Sequence, residues 1–207
     1  MKQIGLIVYL SHIGSFVPAD SATIGIVSHI YSRIESTECI AAHMSAFLID
    51  LKQMSLALQE STSNSLLLVD EFGKGTSETD GLALLAACLN TLLFRAEECP
   101  HILLSTHFLN IKQYIVDTSI VRFMSLEHMV VNGAPVYLYR AVPGSVESSF
   151  AGQLAAASGV HRTVVDRAAR VRQAIANNKL PEANPRKARL YNMIQRMKHE
   201  LLQTKYN

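Results

Sequence analysis

Four consecutive apolar residues, Leu66-Leu67-Leu68-Val69, run directly into two acids, Asp70-Glu71, and then into a glycine-rich turn, Phe72-Gly73-Lys74-Gly75-Thr76. A run this short and this apolar does not suit a surface helix. It predicts a strand buried on both faces, as in a parallel sheet covered by helices. Ligands of such sheets sit outside the carboxyl ends of the strands, and Asp70 and Glu71 fall at that end. Two adjacent carboxylates there suit nucleotide hydrolysis. The first can hold a magnesium ion through its waters. The second can orient and deprotonate a water aimed at a phosphate. On their own, the apolar run and the acid pair fit equally well a buried strand that ends in a solvated acidic loop.

The remaining elements follow from periodicity and punctuation. Met1 to His12 is nearly all apolar and predicts a buried helix. Pro18 drives Val17 out of the helical region, so residues 14–19 form a turn. A short helix is expected over Ile24–Ile26 and a strand over His29–Ile34. Cys39 to Ser45 reads as a loop. Met44 to Glu60 reads as a helix with Phe47, Leu48, Leu51, Met54 and Leu58 on one face and Ser45 as its N-cap. A helix start with free amides is also an anion site. After the acid pair, Thr79-Asp80 can cap a helix to about Glu97, with Leu82, Leu85, Ala86, Leu89, Leu92 and Leu93 buried. His101 to Thr106 is a second short apolar strand, placed beside the first. It ends in His107, a residue that is more often structural but here stands next to the Asp-Glu strand. Phe108 to Val116 reads as a short helix. Val121–Val131 and Val136–Arg140 read as a hairpin around Asn132-Gly133. Together these predict an α/β fold with a mostly parallel sheet over residues 1–159 and a helical tail over residues 160–207.

Composition narrows the function classes. The 207 residues are 49% hydrophobic and only 17% charged, which is a globular balance. No run of eighteen uncharged apolar residues occurs, so no membrane span is expected. Cys39, Cys88 and Cys99 are odd in number and lack metal spacing, and read as thiols in a reducing compartment. No His-Glu-x-x-His or Gly-x-Ser-x-Gly is present, so neither a zinc site nor a serine nucleophile is expected. Charge is unevenly spread. Residues 1–159 carry 8 basic and 14 acidic side chains, net −6, whereas residues 160–207 carry 11 basic and 3 acidic, net +8. A basic helical tail fits an acidic partner surface or nucleic acid, and fits solvated helix faces as well.

The string Asp70-Glu71-Phe72-Gly73-Lys74-Gly75-Thr76, with Gly81 after four further residues, resembles the MutS family of DNA mismatch-recognition ATPases within the ABC-type class. Phe72 and Lys74 replace the commoner Leu and Arg, a wording most like the meiotic branch, the fifth MutS homologues. Gly14-Ser15-Phe16-Val17-Pro18-Ala19, Tyr31-Ser32-Arg33-Ile34, Ser45-Ala46-Phe47-Leu48, Thr106-His107 and Ser149-Phe150-Ala151-Gly152 extend the likeness over nearly the whole chain.

The resemblance implies ATP and Mg as cofactors and a dimer with a sister MutS homologue, most simply a heterodimer. It also implies a nuclear protein that meets mismatched DNA or meiotic recombination intermediates through domains upstream of these residues. By that likeness Asp70 places magnesium, Glu71 activates water, and His107 contacts the γ-phosphate. Ser45 and Asp80 work across the dimer, and the tail packs on the sister subunit. Arg33 is either part of this site or half of a structural ion pair. In the family a phosphate-binding loop, Gly-x-x-x-x-Gly-Lys-Ser, precedes a helix that continues into Lys-Gln-x-Gly-Leu. Lys2-Gln3-Ile4-Gly5-Leu6 matches that continuation, and no copy of the loop occurs in the chain. The expectation is an incomplete ATPase domain whose own activity is open, with a non-enzymatic interaction module as the alternative.

Overall fold

The computed structural model describes residues 1–34, 45–116, 119–131, 134–146, 149–180, 189–190 and 192–197. Three parallel strands form the main sheet: β1 (His29–Arg33), β2 (Ser65–Asp70) and β3 (His101–Ser105), with β2 in the middle. Ile30 pairs with Leu66 across β1 and β2, and Leu67 pairs with Ile102 across β2 and β3. The predicted buried strand is therefore the central one, and Ser65 to Val69 are all buried.

Alternation along β2 sorts its side chains onto two faces. Leu67 and Val69 join Met54 and Ala57 of α2 (Ala46–Glu60) and Leu85, Ala86, Leu89 and Leu92 of α3 (Glu78–Leu93). Leu66 and Leu68 face the other way, toward Val8 of α1 (Lys2–His12). Gly5 lets α1 approach the sheet, since a Cβ there would lie 2.7 Å from Leu68 Cδ1. The sheet is covered on both faces, as a parallel sheet requires, but the α2–α3 side carries the larger core.

Several expectations are corrected. α1 forms but is not buried: Val8 alone is covered, while Leu6, Tyr9 and Ile13 stay exposed. Residues 24–26 are not helical, because three residues around Gly25 cannot supply a helical nucleus. Met54 of the expected α2 face is buried and Leu51 and Leu58 pack against the same core, but Leu48 is exposed, and Asp50 and Ala57 are buried beside Met54.

The cap of α3 is Ser77 rather than Thr79-Asp80, and the helix ends at Leu93, short of Glu97. Arg95 follows that end, and its guanidinium donates to the Leu58 and Ser61 carbonyls, tying the chain after α3 to the C-terminal end of α2. Ala96 then takes a positive φ of 52°, and a separate 3-10 turn covers Ala96–Glu98. Residues 108–116 yield only a 3-10 turn at Ile111–Tyr114. Strands β4 (Met124–Val131) and β5 (Ala134–Pro143) pair as expected, with bounds shifted from the predicted ones. Asn132-Gly133, the loop through Met44 with its Cys39, and the Pro181–Pro185 linker lie outside the described residues.

The chain divides into two compact units. The first is Met1–Ser125 with Val142–Glu147, and the second is Leu126–Ala141 with Ser148–Asn207. Every buried hydrophobic residue of the described core belongs to the first. In the second, α4 (Ala151–Ala157) and α5 (Arg162–Ala176) pack on one another around a positive-φ Gly159. His161 caps α5 by accepting from the Thr163 N–H at 3.3 Å. Residues 189–190 and 192–197 are helical as well. The fold is thus mixed α/β, with a parallel sheet followed by C-terminal helices.

Candidate active site

The three parallel strands end together, at Arg33, Asp70 and Ser105. Asp70 is the last residue of β2, and its Oδ1 accepts a hydrogen bond from Ser105 Oγ on the adjoining strand. The Asp70 carbonyl accepts from Arg33 Nη1. Arg33 Nη2 forms an ion pair with Asp50 Oδ2 of α2. Arg33 is 11% exposed and Asp50 2%. Arg33 Nε finds no acceptor among the described residues.

Glu71 follows immediately, with φ 51°, in the left-handed region that side-chain-bearing residues seldom enter. Its N–H donates to the Ser105 carbonyl at 3.0 Å. Lys74 Nζ donates to Glu71 Oε2 at 2.8 Å. That bond is the main reason the Glu71 carboxyl titrates below its ordinary range. Partial burial opposes the shift, and the charges of Lys74, His107 and Arg33 add to it. The Lys74 ammonium is raised in turn by the same bond.

His107 stands just past the end of β3, exposed, its ring against Phe108 at a centroid distance of 4.1 Å. Thr106 Oγ1 accepts from the Phe108 N–H at 3.1 Å and turns the chain there. Phe108 is buried and anchors the turn. Asp70, Glu71 and His107 therefore lie along one rim, with His107 in electrostatic range of Glu71. A hollow of about 470 Å³ lies elsewhere, at the C-terminal end of α1, lined by Ser11, His12, Val17 and Ile24 among others.

The glycines after Glu71 have a packing reason. Gly73 has φ 89°, and a Cβ on it would meet the Gly81 backbone at 2.8 Å. A Cβ on Gly81 would lie 2.4 Å from the Gly73 carbonyl oxygen and 3.0 Å from Phe108 Cζ. Gly75 presses on Phe47, whose Cβ would be 2.9 Å away. The loop is thus folded onto the first turns of both α2 and α3, with Phe72 fully buried beneath it.

Ser45 and Asp80 sit on those first turns. Ser45 Oγ accepts from the Leu48 N–H at 3.3 Å. Asp80 accepts from Ser77 Oγ at 2.7 Å and returns its own N–H to that oxygen at 3.1 Å, a reciprocal cap. Both are exposed, and neither is hydrogen-bonded to Glu71 among the described residues.

Two participants went unseen in the sequence. Asp50 hid within an apolar helix face; an acid four residues before Met54 was the available signal. Ser105 carried no signal apart from its place at a strand end.

Among the described residues no cluster of three or more His, Cys, Asp or Glu is arranged to hold a metal. The donor set still fits magnesium, which binds through one or two carboxylates and completes its shell with waters and phosphate oxygens. Asp70, with one oxygen held by Ser105, leaves the other for that use.

A family model described as MutS domain V matches residues 1–176. The chain is 44% identical over 178 residues to a protein named MutS protein homolog 5 from Caenorhabditis elegans, covering 84% of this chain and 13% of that one. It is 34% identical over 168 residues to the DNA mismatch repair protein MutS of Lawsonia intracellularis (strain PHE/MN1-00), covering 81% of this chain and 19% of that one. It is 33% identical over 180 residues to the same-named protein of Salinibacter ruber (strain DSM 13855 / M31), covering 87% and 20%. The chain thus spans no more than a fifth of the length of these relatives. With its acid pair at the end of a central parallel strand and a family model matched over residues 1–176, the chain belongs to the MutS family, of which it carries domain V.

Proposed function

We propose that this chain forms the carboxylate side of an ABC-type ATPase site in a MutS-type dimer. The reading is supported by Asp70 at the end of β2, Glu71 directly after it, and His107 two residues past the end of the adjoining β3, close enough for its charge to act on the Glu71 carboxyl. Magnesium, when bound beside Asp70, would neutralise charge on the transferring phosphate. Glu71, an ionised carboxylate at neutral pH, accepts the proton of the attacking water. The water oxygen bonds to the γ-phosphorus as the bond to the ADP oxygen breaks, and phosphate leaves. His107, as a neutral imidazole, hydrogen-bonds the γ-phosphate or the water. Ser45 and Asp80, on helix starts that adjoin the same loop, reach a nucleotide held by the sister subunit.

The meiotic wording of Phe72 and Lys74, together with the likeness to MutS protein homolog 5, supports a heterodimer that acts on recombination intermediates in the nucleus, reaching DNA through other domains. Residues 1–159 belong to the ATPase domain and residues 160–207 to a dimerisation tail. No described helix is long and apolar enough to cross a membrane. The decisive experiment measures magnesium-dependent ATP turnover by the protein together with its sister subunit. Glu71→Gln should lower turnover by about 10²–10⁴-fold, the usual contribution of a general base; unchanged turnover would overturn the reading.

A second reading rests on the exposed apolar stripe of α5. Val164 and Ile175 are 56% and 65% exposed on a helix that also carries four arginines. In it the chain is a non-enzymatic module that binds the sister subunit. Sister binding without any nucleotide affinity, in the chain alone or in the dimer, would favour it.

A further inference from the structure

The peptide that joins Asp70 to Glu71 is gripped from both neighbouring strands. Its carbonyl accepts from Arg33 on β1, and its N–H donates to the Ser105 carbonyl on β3 at 3.0 Å. The directions of the two carboxylates that leave this peptide are therefore set from either side. Glu71 holds a left-handed φ of 51°, a conformation that persists only where the surroundings impose it.

Arg33 is itself aimed. A guanidinium is a rigid planar fork, so the partner of one nitrogen decides where the other points. The partner of Nη2 is Asp50, 2% exposed on α2. Taking two charges out of water is costly, and a hydrophobic pair of the same size would stabilise the fold as well or better. Stability alone is a poor account of such a pair. Its other feature is its reach: it joins α2 to the catalytic end of β2. The first turn of α2 meets the loop after Glu71 again, through Phe47 against Gly75.

We infer that Arg33, aimed by Asp50, is a positioning residue. The chain from Asp50 through Arg33 to the Asp70 carbonyl sets the Asp70–Glu71 peptide, and with it the direction of the Glu71 carboxylate, and couples that direction to the start of α2. The catalytic consequence rests on the water-activating role proposed for Glu71. The geometry does not, and can be tested without nucleotide.

Amide hydrogen exchange of the 207-residue chain, read by NMR, compares Glu71 with Leu68, an amide within β2. Arg33→Lys keeps the positive charge beside Asp50 but lacks the two-pronged fork. Its Glu71 amide should exchange at least tenfold faster, relative to Leu68, than in the unsubstituted chain. Asp50→Asn preserves shape while removing the charge that aims Arg33, and should act in the same direction; it carries the comparison alone if Arg33→Lys does not fold. A purely structural pair would accelerate both amides equally, and that result overturns the inference. Normal turnover in Glu71→Gln would refute the proposed chemistry and leave the exchange result standing, so the two failures are separable.

Discussion

Lys74 Nζ lies 2.8 Å from Glu71 Oε2, three residues along the same loop. The pair is exposed, with Lys74 at 70% and Glu71 at 43%, so solvent screens most of its energy and little stability depends on it. Its effect falls on titration. Lys74→Met should raise the Glu71 carboxyl toward its ordinary value of 4.5, read by carbon NMR against pH. The sign for stability follows. A carboxyl depressed in the folded state contributes stability that is present above its unfolded value and lost as pH falls through the folded value. The native chain should therefore lose slightly more stability than Lys74→Met on acidification from about pH 4.5 downward. Coincident acid-unfolding curves would refute this.

Removing one member of the buried Arg33–Asp50 pair strands the other charge. Asp50→Ala should destabilise the chain by about 3–5 kcal/mol, measured by urea unfolding. A loss below about 1 kcal/mol would mean that water reaches Arg33.

Two glycines with different surroundings should respond differently. A methyl group on Gly81 meets the Gly73 carbonyl oxygen at 2.4 Å, and that neighbour is backbone. Gly81→Ala should cost about 1–3 kcal/mol, as overpacking does, and should displace the loop that carries Glu71. Gly14 has φ 74° but open space around it. Gly14→Ala should cost only the left-handed strain, about 1–2 kcal/mol, with no change in Glu71 chemical shifts.

The apolar residues of α1 and β2 should separate sharply in thermal unfolding. Leu67 is fully buried, and Leu67→Ala should cost about 2–5 kcal/mol. Leu6 is 55% exposed, and Leu6→Ala should stay within about 0.5 kcal/mol. Similar losses for the two would mean that the exposed face of α1 is covered in solution.

Much of the architecture was legible before any coordinates. An apolar run bounded by acids and glycines can be satisfied in few ways, and Leu66–Val69 took the buried parallel strand that its pattern demanded. The α3 face from Leu85 to Leu93 followed from spacing alone, since burial in a helix is periodic. The Ser45 cap and the ends of β2 and β3 were equally local facts. Where the prediction failed, a distant partner had decided the matter. Beyond α3, Arg95 reaches the carbonyls at the end of α2, a tie that no local spacing announces. The apolar length of α1 could not reveal that Val8 is the one residue of that helix to be buried.

The order of residues by itself determined which carboxylates stand at a strand end, because that needs only a strand and its terminus. Tertiary structure alone decided how they point. The carbonyl before Glu71 is held from β1 and its amide from β3, and Asp50, on the same face of α2 as Met54 and Ala57, meets Arg33. The groups that hold Asp70 are 35 to 37 residues away from it, and the partner of Asp50 is 17 residues away. Local pattern can flag an acid on an apolar face but does not name its partner, since a buried polar group is tolerated only where the folded chain brings its partner to it.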